Sequence, residues 1–175
     1  MDDLIYNQRE IPKGKWRYGF RSSAATGCGW IATYNALRLM HYRAKPEDLI
    51  RYYTRQLPLV HGNAGTSIPG PIIFFLQQGF RVKVTARRKK FDDTVKKSDV
   101  CILFYRWRKG WKFGAHFVTV RYQDGKFIGY NTFSTSQGPD DYGTSLEEFL
   151  KKRKYFTPVL IAIQDRPSRK KAADR

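Results

Sequence analysis

The chain has 175 residues, of which 41% are hydrophobic and 15% aromatic, and this composition excludes a disordered or low-complexity protein. Its 33 Lys and Arg stand against 15 Asp and Glu, so the net charge of +18 favours acidic partners such as nucleic acid, acidic proteins or anionic lipid. No apolar run is long enough for a membrane span, and MDDLIYNQRE carries acids where a secretion signal carries bases. We therefore expect a cytoplasmic protein.

The sequence shows no internal repeat and no linker that would divide it. We expect one domain over residues 1–164, with an irregular lead-in over 1–15 and a basic, mobile tail over 165–175. The bases are spread along the whole chain instead of lying on one element, which favours a solvated surface over a dedicated nucleic-acid face.

The first strong signal is the run TGCGWIATYNALRLM at residues 26–40, which contains a single charge. It predicts a helix over 28–40, capped at Thr26 or Gly27, with apolar side chains on every side. A helix of that kind is buried. Further helices are predicted over 46–56, 71–78 and 144–152, a short amphipathic turn or helix over 91–97, and a loop over 61–70.

The second half of the chain has the period of strands. Strands are predicted over 80–86, 100–107, 111–122, 127–133 and 157–163, the middle three forming a meander with a tight turn at Asp124-Gly125. Helices followed by antiparallel strands indicate an α+β fold, in which the buried helix packs on the sheet.

A thiol stands at the head of the buried helix, because Cys28 lies between Gly27 and Gly29. The free backbone N–H groups of a helix start are expected to lower the pKa of such a thiol and make it a better nucleophile. The two glycines leave room for a substrate carbonyl, and the N–H of Cys28 itself can donate to an oxyanion.

A nucleophilic thiol needs an imidazole base oriented by a third polar group. His41 follows the cysteine helix, roughly 20 Å from Cys28 at 1.5 Å per residue, and His61 lies in a predicted loop without a definable position. His116 lies in a strand. A two-residue turn at Asp124-Gly125 places Asn131 on the same face as His116, within reach of a hydrogen bond between their side chains.

Three stretches together carry a resemblance: GCGWIATYNALRLM, then GAHFVTVRYQDGKFIGYNTF, then SLEEFLKK with a closing apolar strand. From about residue 16 to 164 the chain resembles the papain-like cysteine peptidases, most closely the branch of the double-glycine leader peptidases. The resemblance implies a papain-like fold with Cys28 as nucleophile, His116 as general acid and base, and Asn131 as the residue that orients the imidazole.

The sequence departs from that family at the second oxyanion donor, which is usually a glutamine a few residues before the cysteine. That region here reads RSSAATG, so Ser22, Ser23 or Thr26 is a candidate, and Gln8 is another if the lead-in folds back. The orienting residue is Asn131, whereas the leader-peptidase branch commonly has Asp.

Three functions remain open. A cysteine peptidase or amidohydrolase would act through an acyl-enzyme on a peptide or amide, and the many bases favour an acidic one. An acyltransferase would use the same triad with another acceptor. A catalytically defective, basic binding module would use RWRKGWKF (106–113), where aromatic residues alternate with bases, although nucleic acid is the less favoured partner.

No cofactor is implied by the sequence. The two cysteines and three histidines are scattered without the spacing of metal ligands, and phosphate-loop motifs are absent. Cys101, inside the apolar stretch CILFY, is expected to be buried and inert.

Overall fold

The structure is a computed structural model that describes residues 4–55 and 65–166. The predicted loop position of His61 and the tail beyond residue 166 lie outside the described residues. Within the described ranges the chain forms six α-helices: α1 (Ser23–Thr26), α2 (Cys28–Leu39), α3 (Pro46–Arg55), α4 (Pro69–Gln77), α5 (Phe91–Lys96) and α6 (Leu146–Lys152).

Two short strands form a small separate hairpin, β1 (Arg17–Tyr18) with β2 (Arg21–Ser22). The other strands of the described chain form a six-stranded sheet in the order β3-β8-β4-β5-β6-β7, and every pair in it is antiparallel. Their bounds are β3 (Arg81–Thr85), β4 (Val100–Lys109), β5 (Lys112–Gln123), β6 (Lys126–Tyr130), β7 (Asp140–Asp141) and β8 (Phe156–Gln164). The predicted α+β class and the meander of β4, β5 and β6 are confirmed.

Helix α2 is buried over most of its length, from Gly29 to Leu37. The Thr119 hydroxyl on β5 donates to the Ala32 carbonyl of α2 at 2.9 Å, which fastens the helix to the middle of the sheet. The prediction of a central buried helix on the sheet is therefore confirmed, and its cap is Gly27, without a side-chain hydrogen bond.

Alternation along the strands separates two cores on the two faces of the sheet. Ile102 of β4 and Phe117 of β5 pack with α2, α3 and α4. Leu103 and Val118, the next residues along, pack with α5 and α6 on the opposite face. The sheet is thus covered by helices on both faces.

The β5–β6 hairpin has the two-residue turn that the sequence predicts, because Gln123 pairs with Lys126 across it. Asp124 and Gly125 have φ of 50° and 81°, the left-handed values of a type I′ turn. The strand that follows ends earlier than predicted, however. Asn131 has φ of 62° and leaves the ladder after Tyr130, so residues 131–133 are not strand.

The irregular lead-in predicted over residues 1–15 contains one turn of 3-10 helix at Gln8–Glu10, capped by the Asn7 side chain. Helix α4 begins at Pro69, inside the predicted loop, because a proline suits the first helical turn. Gly79 then follows its end with φ of 80°, as expected for a glycine after a helix.

Candidate active site

Cys28 is the first residue of α2, and glycines on both sides allow the close packing around it. A side chain on Gly29 would overlap Thr66, and one on Gly27 would overlap the Ser23 carbonyl and the Trp30 indole. These glycines therefore serve packing as well as access. Cys28 itself is half-buried, a free thiol packed against the core on the α2 side of the sheet.

The Cys28 thiol does not have the lowered pKa that a helix start predicts. Burial raises its pKa, and the backbone N–H groups of Phe117, Gly29 and Cys28 itself oppose that rise only in part. Helix α1 ends directly before Gly27, whose N–H is already bonded to the Ser23 carbonyl. The expected pKa direction was wrong because desolvation outweighs the N–H groups. The resting thiol is neutral at pH 7.

His116 lies on β5, paired with Tyr105 of β4. Strand alternation turns its side chain to the face opposite α2, where its ring meets the Tyr105 ring edge-on with 6.0 Å between centroids. Burial lowers the pKa of the His116 imidazole, and the hydrogen bond to the Asn131 carbonyl opposes this. The imidazole is therefore neutral at pH 7.

The His116 ring is held by Asn131, but through the main chain. Its Nε2 lies 2.7 Å from the Asn131 carbonyl oxygen, and a carbonyl oxygen can only accept. Nε2 must therefore carry the proton, which leaves Nδ1 with a free lone pair. The sequence predicted a bond to the Asn131 carboxamide. That prediction was wrong about the accepting atom: the backbone carbonyl of Asn131 binds the ring, because the left-handed φ of Asn131 turns this carbonyl toward it.

The Asn131 carboxamide binds Gln8 instead. The Gln8 backbone N–H donates to Asn131 Oδ1 at 2.8 Å, and Asn131 Nδ2 donates to Gln8 Oε1 at 3.2 Å. Gln8 Nε2 in turn donates to the Ala24 carbonyl at 3.1 Å. The lead-in thus folds back across the site and joins Asn131 to α1, the short helix before Cys28.

The Cys28 thiol is related to His116 through the next residue of β5, Phe117. Within residues 4–55 and 65–166, no hydrogen bond joins Cys28 to His116. The hydrogen-bond partner of the His116 ring is Asn131. The backbone N–H next to the imidazole, that of Phe117, acts on the Cys28 sulfur. Burial mainly raises the pKa of Tyr105, which contacts the imidazole, and the Cys28 thiol adds to this rise. The Phe117 N–H therefore places the thiol beside the strand that carries His116.

The candidate oxyanion donors differ in their environment. Ser23 is buried, and its hydroxyl accepts from the Trp30 indole at 3.1 Å. Ser22 caps α1 without a side-chain bond, and the Thr26 hydroxyl is buried with no hydrogen-bond partner in the part of the chain that the structure describes. Gln8 is the candidate that lines the same cavity as His116.

A cavity of about 740 Å³ opens beside His116 and Asn131. Its walls come from the lead-in, the arm of the β4–β5 hairpin, the loop after β6 and the link between α6 and β8. Ala25, three residues before Cys28, is part of the wall. The arrangement can bind a ligand in contact with the imidazole and the Gln8 side chain.

Other candidates contribute less. Burial raises the pKa of Cys101 to about 12, as expected of an inert thiol in the core. The described residues hold no cluster of His, Cys, Asp or Glu that could bind a metal ion, and none of their helices is long and apolar enough to cross a bilayer. RWRKGWKF forms the tip of the β4–β5 hairpin, where Trp111 and Phe113 are exposed.

Two contributors to the site were missed from the sequence. Gln8 was considered as an oxyanion donor, not as the partner of Asn131, and no local pattern links residues so far apart. Arg153 lies on the cavity wall after α6. The only signal for it was the run of bases at the end of a predicted helix.

No protein-family model matches the chain, and no curated protein matches it. Among solved structures, the chain is similar to the peptidase domain of Streptococcus ComA, a bi-functional ABC transporter involved in a quorum-sensing pathway. The two are 17% identical with a TM-score of 0.49, over 78% of this chain and 91% of that domain.

Proposed function

We propose that the protein is a cysteine peptidase or amidohydrolase that uses Cys28 as nucleophile and His116 as general base and acid. The observation that carries the proposal is the hydrogen bond between His116 Nε2 and the Asn131 carbonyl. It fixes the tautomer in which Nδ1 can take a proton. The next residue of β5, Phe117, presents its backbone N–H to the half-buried thiol at the helix start.

The resting pair is neutral, since burial raises the pKa of the Cys28 thiol and lowers that of the imidazole. In the first step Sγ attacks the carbonyl carbon of the amide while the thiol proton passes to His116 Nδ1, directly or through one water. The oxyanion accepts from the Cys28 backbone N–H, with the Gln8 amide as the second donor.

In the next step the C–N bond breaks and the leaving amine takes the proton from His116, which leaves an acyl group on Cys28. Water then attacks the thioester carbonyl and gives its proton to Nδ1. The carboxylic acid departs as Sγ regains that proton. Asn131 acts as a positioning residue throughout, because its carbonyl touches only the far nitrogen of the ring.

The proposal is tested with a peptidyl acyloxymethyl ketone, located by mass spectrometry, and with a mixed peptide library whose new termini are counted. Cys101→Ala is the matched control, since it removes the inert thiol and leaves Cys28. We expect the ketone on Cys28 and new termini for the native protein and Cys101→Ala, and neither for Cys28→Ala. His116→Gln can still donate an amide N–H to Asn131 but cannot take a proton, so both rates should fall roughly 100-fold or more.

Two outcomes would overturn the proposal. One is a Cys28 that reacts no faster than Cys101. The other is an unchanged rate in His116→Gln, which would remove the imidazole from the chemistry.

A further inference from the structure

The cavity beside His116 has a one-sided charge. Four basic side chains contribute to its wall, and the described residues that line it include no Asp or Glu. They come from three separate parts of the chain that the fold brings together: Arg9 from the lead-in, Arg108 and Lys109 from the hairpin arm, and Arg153 from the end of α6. Arg108 and Lys109 are neighbours on the arm, and the other two approach from different elements.

These four charges are not neutralised by neighbouring carboxylates. Within the described residues, the one ion pair joins Lys126 to Asp141, and neither residue lines the cavity. All four basic residues are exposed and thus accessible to a ligand. Clustered like charges around a concave surface raise the positive potential inside it.

Arg153 is held in place by an aromatic ring. Its guanidinium carbon lies 4.6 Å from the centroid of the Phe133 ring, a cation–π contact on the cavity wall. A guanidinium suits a carboxylate, which can accept two parallel hydrogen bonds from it.

The aromatic rings of the wall are covered by other groups of the protein, which disfavours nucleobases as the ligand. Tyr105 and Tyr155 stack with 4.1 Å between centroids. Phe133 is covered by Arg153, and the Trp107 ring lies against the space at Gly114. Binding of single-stranded nucleic acid uses open aromatic faces on which successive bases stack.

We infer that this cavity binds an acidic segment of a peptide, whose Asp or Glu side chains pair with Arg153 and Arg9 close to His116. A volume of about 740 Å³ is sufficient for a few residues of a peptide. The inference rests on the proposed function for one point only, that the bound segment belongs to the substrate. It specifies a preference for acidic residues near the bond that is cut.

The experiment measures binding without cleavage, in the full chain carrying Cys28→Ala. The probe is a fluorescein-labelled peptide with a run of Glu, compared by anisotropy with the same peptide carrying Gln at each Glu position. Both have amidated C-termini, and a third peptide with Gln and a free C-terminus tests a terminal carboxylate as the ligand. We expect the Glu peptide to bind at least about tenfold more tightly than either Gln peptide.

Variants then locate the binding site. Arg9→Gln with Arg153→Gln should weaken binding of the Glu peptide about tenfold or more. Arg9→Lys with Arg153→Lys keeps the charge but loses the two parallel guanidinium hydrogen bonds, so it should weaken binding less than the Gln pair does. Arg51→Gln with Arg87→Gln is the matched control, because both residues are exposed and lie outside the cavity wall. This pair of substitutions removes the same net charge as the pair in the cavity. It should change binding less than twofold.

Three results would overturn the inference. The first is equal binding of the Glu and Gln peptides, and the second is an equal loss of affinity in the cavity variants and the control variants. The third is a labelled oligonucleotide that binds more tightly than the Glu peptide and depends more strongly on Arg9 and Arg153. If the protein binds the Glu peptide selectively but its Cys28 proves unreactive, the proposed function is wrong and the assignment of the acidic-peptide site is retained.

Discussion

Asn131 and Gln8 are joined by two hydrogen bonds although 123 positions separate them in the sequence. The pair connects the lead-in to the imidazole, because Gln8 binds the carboxamide of Asn131 and the Asn131 carbonyl holds the His116 ring. The left-handed φ of 62° at Asn131 allows both contacts from one residue. A change at this residue therefore acts on stability and on the orientation of the imidazole together.

Two substitutions at Asn131 separate the hydrogen bonds from the backbone conformation. Asn131→Gly keeps the left-handed φ and the carbonyl but removes the carboxamide, so we expect a loss of about 1–3 kcal/mol in the free energy of unfolding. Asn131→Ala should lose roughly 1 kcal/mol more, because alanine adopts that φ less readily than glycine. Urea unfolding measures both. An alanine variant as stable as the glycine variant would contradict the importance of the backbone conformation.

The sequence was sufficient for the parts of the fold that depend on local patterns. The run from Trp30 to Leu37 is apolar on every side, and the structure buries it. Asp124-Gly125 demands a two-residue turn, and the pairing of Gln123 with Lys126 confirms it. Both features follow from neighbours in the chain, which is why they could be predicted.

The site could be predicted only in part, because two of its features are not local. The bond between Gln8 and Asn131 depends on how the lead-in returns across the sheet edge. The pKa of the Cys28 thiol depends on its burial, which the position at a helix start does not reveal. A helix start lowers the pKa of a thiol and a buried position raises it, and only the fold determines which effect is larger.

The close packing of Gly29 against Thr66 predicts a strong effect of a single methyl group. Gly29→Ala would overlap the Thr66 side chain, so we expect a loss of roughly 1–3 kcal/mol in the free energy of unfolding. Gly138→Ala is the control, because no atom lies near the position of an added Cβ there. The midpoints of urea unfolding compare the two. Equal midpoints for both variants would mean that the helix start is free to shift.

The raised pKa of Cys28 predicts slow alkylation at neutral pH. Only the thiolate reacts with iodoacetamide, so the rate in Cys101→Ala should rise with pH through a midpoint above that of the same protein unfolded in urea. The sign follows from burial, which disfavours the charged form of the thiol. A folded-state midpoint at or below the unfolded one would instead indicate an ion pair of Cys28 with His116, present before substrate binds.

The lowered pKa of His116 predicts a loss of stability on mild acidification. Its folded-state pKa lies below the unfolded value of about 6.5, because burial disfavours the imidazolium. The unfolded chain therefore binds this proton first as the pH falls. The stability contributed by the neutral ring is complete above the unfolded pKa and decreases as the pH falls toward the folded one.

Melting temperatures at a series of pH values between 7.5 and 5 (roughly the range in which histidine titrates) measure this effect. We expect a decrease toward acid pH in the native protein and a smaller decrease in His116→Gln, which cannot ionise but can still donate to the Asn131 carbonyl. His41→Gln is the matched control, because His41 is exposed and follows α2, outside the cavity wall. If His41→Gln reduces the pH dependence of the melting temperature as much as His116→Gln does, the loss of stability at acid pH does not originate at His116. The hydrogen bond to Asn131 would then hold the ring without keeping it neutral.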